Sequence, residues 1–189
     1  MRRTVIALLT GLLAVTACSS GGGSSTSPTQ AASEADVVAW MDKVCGAVDG
    51  TVKAMSDEPN IDLSDPSKLK TGLSEWLGTK VTAVDKSIAD LKALENGPHP
   101  KSKELVSAAE QGMDQIRTLL GDTRSKVDSS TDSTGVVTAF TEMVTKAAAL
   151  EGAGAEVQKK FTETGLAAAA QKAGNCKGLA VTPTSPPTS

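Results

Sequence analysis

Residues 65–94, DPSKLKTGLSEWLGTKVTAVDKSIADLKAL, decide the fold. Asp65 is an N-cap residue, and Pro66 follows at the first helical position, where its missing N–H costs nothing. From there Leu69, Leu73, Trp76/Leu77, Val81, Val84, Ile88, Leu91 and Leu94 recur at steps of three and four, interrupted only by Gly78. That is the helical period. Roughly 30 residues rising 1.5 Å each give a helix of about 45 Å, and Asn96-Gly97-Pro98-His99-Pro100 stops it.

The same period fills residues 33 to about 172, with no sustained alternation that would mark a strand. The first helix opens at Ser33 with Asp36 three residues on, a capping-box-like start, and carries Val37, Met41, Val44, Val48, Val52 and Met55 before Pro59. The third carries Leu105, Ala109, Met113, Ile116, Leu120 and Val127 and ends in the polar run 128–133. The fourth, capped by Ser133 or Thr134, carries Val137, Phe140, Val144, Ala147, Leu150, Val157 and Phe161. Gly152, Gly154 and Gly165 predict a kink or break in its middle and at its end. Short connections make consecutive helices antiparallel neighbours. The expectation is therefore an all-α fold, an antiparallel up-down four-helix bundle over residues 33–178.

On either side of this domain the composition changes. Residues 19–32 are Ser, Gly, Thr, Pro, Gln and Ala only, a flexible tether with an r.m.s. span of about 20 Å. Residues 179–189 are rich in Pro, Thr and Ser and read as a disordered tail, in which Thr182, Thr184, Ser185 and Thr188 offer hydroxyls for O-linked sugars. At the other end, Met1-Arg2-Arg3, the apolar run Val5–Val15 and Thr16-Ala17 form a charged, then apolar, then small-residue leader ahead of Cys18. The apolar run is too short to span a bilayer.

Val15-Thr16-Ala17-Cys18 resembles the lipobox of bacterial lipoproteins, and the whole layout looks like the small lipoproteins of actinobacteria. The resemblance implies a signal peptide over residues 1–17 and a lipidated Cys18, hence a protein held on the extracytoplasmic side of the cell membrane. Two acyl chains on that residue meet the requirement for stable anchoring. An ordinary signal peptidase site at Val15-Thr16-Ala17, giving a secreted protein, is the competing reading.

Cysteine parity bears on the same point. Three cysteines are an odd number for an exported chain. With Cys18 lipidated, Cys45 and Cys176 remain as the one possible disulfide, closing a loop of 131 positions. A bridge that long stabilises by up to about 5 kcal/mol in the chain-entropy account. Cys45 shares the inward stripe of the first helix and is placed to meet Cys176 where the chain leaves the fourth. A redox dithiol is disfavoured, because such pairs are usually close in sequence at a helix N-terminus.

Charge and composition exclude some partners. The chain has 19 basic and 22 acidic residues, and loss of Arg2 and Arg3 with the leader leaves 17 against 22. A mildly acidic chain with interspersed charges has no footprint for nucleic acid. Two Trp, two Phe and no Tyr are few for stacking on sugars or bases.

Motifs that carry chemistry are weak. Ser67-Lys68-Leu69-Lys70 and Lys70-Thr71-Gly72 match fragments of the penicillin-recognising enzymes, but there the fragments lie far apart in sequence, whereas here they overlap in one helical turn. His99 is the single histidine and lies between two prolines in a turn. Asp57, Glu58, Asn60, Asp62 and Asp65 gather oxygen ligands, but a calcium loop begun at Asn60 has Asp65 where glycine is needed and Thr71 where glutamate is needed. Asp128, Ser130 and Asp132 likewise lack the glycine. Of the tryptophans, Trp76 is on its helix stripe and reads as core. Trp40 lies beside its stripe and reads as a partly exposed contact for a partner or lipid.

These readings point to a non-enzymatic, membrane-tethered binding module for a protein or cell-envelope component, with no metal or cofactor. A carrier for a small apolar ligand held between the helices is the alternative, and an enzyme with an unrecognised site is a third.

Overall fold

The computed structural model describes residues 32–59, 65–149 and 151–179. Cys18, most of the tether, Asn60, Asp62 and the tail from residue 180 lie outside the described residues. Those described are all-helical, with α1 Glu34–Ser56, α2 Pro66–Lys92, α3 Ser102–Ser129, α4 Ser133–Ala149, α5 Glu151–Glu163, α6 Ala167–Lys172 and a 3-10 turn Asn175–Gly178. None of these helices is long and apolar enough to cross a membrane.

The helix starts are set by local chemistry. Ser33 and Asp36 form the full capping box: the Asp36 amide donates to Ser33 Oγ, and the Ser33 amide donates to Asp36 Oδ2. Asp65 caps α2 by accepting from the Ser67 amide at 2.9 Å, with Pro66 in the first turn. Both starts are where the sequence puts them.

Packing follows a three-four seam on each long helix. Leu73, Leu77, Val84 and Leu91 of α2 are buried, and so are Lys80 and Ser87 at the intervening seam positions. On α1 the seam runs Trp40, Val44, Ala47, Thr51, while Val52, expected inside, is 45% exposed. On α3 it runs from Ser102 through Val106, Ala109, Met113, Leu120 and Thr123 to Val127. Thr51 Oγ1 donates to Ser87 Oγ at 2.7 Å across the α1–α2 seam, so the two buried hydroxyls satisfy each other.

Cross-contacts fix the register. Along α1 and α2, Trp40 meets Leu94 and Thr51 meets Ser87. Along α2 and α3, the most extensive helix pairing, Asp85 pairs with Arg117 and Ser74 meets Arg124. Both α4 and α5 pack on α3, with Lys126 paired to Glu142 and Glu104 to Lys160.

The fourth expected helix is represented by α4 and α5, which lie on either side of residue 150, itself outside the described residues, and its inward face is corrected by one residue. Val136, Ala139 and Met143 are buried, whereas Val137 and Val144 are 55% and 54% exposed. The two valines at 136–137 share the apolar signal, and contact with both α3 and α2 decides which turns inward. The expected break at Gly165 is present: its φ of +75° is left-handed backbone that glycine adopts without strain, and it separates α5 from α6. Beyond it the chain turns back to lie on α1.

Candidate functional site

Cys45 and Cys176 are joined, with a Cα–Cα distance of 5.0 Å, and both are buried. Around the bond the 3-10 turn is fastened to α1 by side chains. The Asn175 amide donates to Asp42 Oδ1 at 2.8 Å, and Asn175 Nδ2 donates to Asp42 Oδ2 and to the Asp42 carbonyl.

Trp40 is inside, which corrects its reading as a partly exposed contact. It is 6% exposed, and its indole N–H donates to the Leu94 carbonyl at 2.9 Å, satisfying a backbone acceptor left over at the end of α2. The cause is that the end of α2 and the turn after it close over this side of α1, so its buried arc is wider than a single stripe. The ring also dictates Gly97: a Cβ there would lie 2.3 Å from Trp40 Nε1 and 2.5 Å from Ser102 Oγ. Trp76 is the half-buried one, edge-to-face with Phe140 at 6.4 Å.

Lys80 was not singled out in the sequence, yet it is 2% exposed. Its ammonium donates to the Ala54 carbonyl near the end of α1, lies 3.8 Å from Asp57 Oδ2, and sits 5.1 Å from the Trp76 ring centroid. A cation at a helix C-terminus meets the negative end of the dipole and an orphan carbonyl together, and the ring face adds a further attraction. Here the group closes α1. Glu110 is the second residue missed. Its Oε1 is buried without a hydrogen-bond partner, and burial, reinforced by Glu95, raises its carboxyl above the ordinary range.

A further surface feature is the outer face of α4. Val137, Thr138, Thr141, Glu142, Thr145 and Lys146 line a shallow groove there. Thr141 Oγ1 donates to the Val137 carbonyl and Thr145 Oγ1 to the Thr141 carbonyl, so these hydroxyls are spent on their own helix. With Val137 and Val144 about half exposed, the face offers methyl groups beside the charged Glu142 and Lys146.

No protein family, curated protein or solved structure matches this chain. The functional reading therefore rests on the residues themselves.

The motif fragments fall apart in space. Ser67 Oγ donates to Asp65 Oδ1 within the helix cap, whereas Lys70 reaches the Ser130 carbonyl at the end of α3. His99 Nδ1 accepts from the Lys101 amide inside its own turn. Among the described residues, no group of three or more His, Cys, Asp or Glu side chains is placed to hold a metal ion.

Proposed function

We propose that this chain is a lipid-anchored, extracytoplasmic, non-enzymatic binding module. The observation that carries it is the Cys45–Cys176 bond, which leaves Cys18 as the one cysteine of three outside the disulfide. That residue stands where a lipobox cysteine stands, and lipidation fits an odd cysteine in a chain whose other two are joined. In the same reading the helices form an antiparallel up-down bundle in which α4 and α5 together are the fourth member. The pairings Trp40–Leu94, Asp85–Arg117 and Lys126–Glu142 support it.

The partner surface in this proposal is the outer face of α4 rather than Trp40. An exposed apolar patch on a helical domain fits a protein or envelope component better than a small ligand, which needs an enclosed pocket with convergent polar groups. Partners at such a face are held by shape and apolar contact.

Mass spectrometry of the mature protein from its native membrane tests the anchor. The expected result is an N-terminal Cys18 bearing a diacylglyceryl thioether, with the protein in the detergent phase and a Cys18→Ala variant in the aqueous phase. A mature terminus elsewhere, or an unmodified Cys18, overturns the assignment.

A further inference from the structure

Among the described residues, those from Lys172 to Gly178 rest on one stripe of α1. Lys172 pairs with Glu34, Ala173 and Gly174 border a groove with Val38, Asn175 bonds Asp42, Cys176 joins Cys45, and Gly178 lies beside Asp49. Positions 34, 38, 42, 45 and 49 follow the helical repeat along one line of α1. This line differs from the Trp40–Thr51 seam that faces α2. The α6 helix and the 3-10 turn pack chiefly on α1 and on each other.

What holds this segment is thin apart from the disulfide. Leu166, 1% exposed, anchors its start beside Gly165; beyond that its buried apolar side chains are only Ala169, Ala170, Ala173 and Cys176, with Leu179 partly buried. Alanine methyls supply little apolar area, and a helix of six residues does not sustain itself in water. The Asp42–Asn175 bonds and the Lys172–Glu34 pair are exposed, so solvent competes for each of them. At its origin lies Gly165, whose added Cβ would meet nothing within 4 Å, so the hinge is uncrowded.

We propose that residues 167–179 are a strap latched on α1 by the Cys45–Cys176 bond, and that reduction of this bond releases the strap at Gly165 while α1–α5 stay folded. The chemistry is thiol–disulfide exchange with a dithiol reductant. One reductant thiolate attacks Cys176 Sγ and Cys45 leaves as thiolate; the second reductant thiol then displaces Cys176. The reductant ends as a disulfide, the two cysteines gain two electrons, and the two thiol protons pass to them. Because both sulfurs are buried, attack follows partial lifting of the strap, which makes the latch slow to open and selective for sustained reducing conditions. Release uncovers Val38 and the stripe around Cys45 on α1. This inference stands apart from the anchoring assignment and is tested separately from it.

The test uses the full chain in its oxidised form, held in excess dithiothreitol, with thiol release followed by mass and amide hydrogen exchange read by segment. Reduction should speed exchange in residues 167–178 at least tenfold, leave residues 66–92 and 102–129 unchanged, and admit trypsin cleavage after Lys172 and Lys177. Reoxidation should reverse all three. Strap amides that stay protected once both thiols are free overturn the proposal, as does loss of protection throughout α2 and α3. A bond that resists dithiothreitol for a day overturns it too. The Cys45→Ala/Cys176→Ala double variant should reproduce the reduced pattern without reductant, and an oxidised-like pattern from it counts against the latch.

Discussion

At Gly97 a single missing methyl group decides whether the end of α2, the following turn and the start of α3 can close around Trp40. The added carbon of Gly97→Ala would lie 2.3 Å from Nε1, 2.4 Å from Cε2 and 2.5 Å from Ser102 Oγ. A buried ring cannot give way as the tip of a surface lysine can, so the turn must move and strain the Trp40–Leu94 bond. Overpacking of this kind typically costs about 1–3 kcal/mol. Urea denaturation of Gly97→Ala should show a loss of that size, accompanied by a red shift of the tryptophan emission. Stability and emission both equal to the parent would mean that the turn is looser than its contacts imply. Of this constellation the sequence showed only the turn. That Trp40 fills it depends on the end of α2 and the turn after it closing over α1, a non-local fact that the period of α1 does not carry.

At the scale of elements, the caps and the long stripes were legible because they are local: Ser33 with Asp36, Asp65 with Pro66, and the stripe of α3 all stand where the spacing places them. Lys80 and Ser87 were hidden by their chemistry rather than by their positions. The three-four series Leu73, Leu77, Lys80, Val84, Ser87, Leu91 keeps a coiled-coil-like seam, but polar residues on it invite the eye to Val81 and Ile88 beside them. The α4 register failed for a different reason, since Val136 and Val137 are adjacent and equally apolar. Substitution separates them. Val136→Asp places a carboxylate at a position 1% exposed and should cost well over 3 kcal/mol or prevent folding. Val137→Asp, at 55% exposure, should stay within about 0.5 kcal/mol of the parent in thermal and urea unfolding. The reverse order would restore the register read from the sequence.

Across the whole molecule, exposed carboxylates pair between and within the elements, and their titration adds a small acid-side loss of stability. Lys172 holds Glu34 below its ordinary range, Ser33 does so for Asp36, Lys101 and then Lys160 for Glu104, Lys126 for Glu142, and Lys160 for Glu163. These contacts cap α1, fasten the strap to it, and link α3 to α4 and α5. A group whose folded value is depressed contributes its full stability above the unfolded value and loses it as pH falls through the folded one, so the losses gather below about pH 4. Glu110 has the opposite sign. Burial is the main cause of its upward shift; Glu95 and Asp114 add to it and Lys92 opposes it. Below the unfolded value it is neutral in both states and costs nothing. As pH rises through its folded value the partly buried carboxylate must ionise, and the destabilisation is complete once it has. The fold should therefore be most stable in weakly acidic solution, above the range where the ion pairs fail and below the range where Glu110 is fully charged. Glu110→Gln removes the second effect and leaves the first. Thermal unfolding of this variant should show a midpoint raised by a few degrees at pH 7, a gain that shrinks toward zero near pH 4, and an unchanged acid limb below that. An equal gain at both pH values would place the benefit in packing or hydrogen bonding by the amide, and no gain at pH 7 would mean that solvent already reaches Oε1.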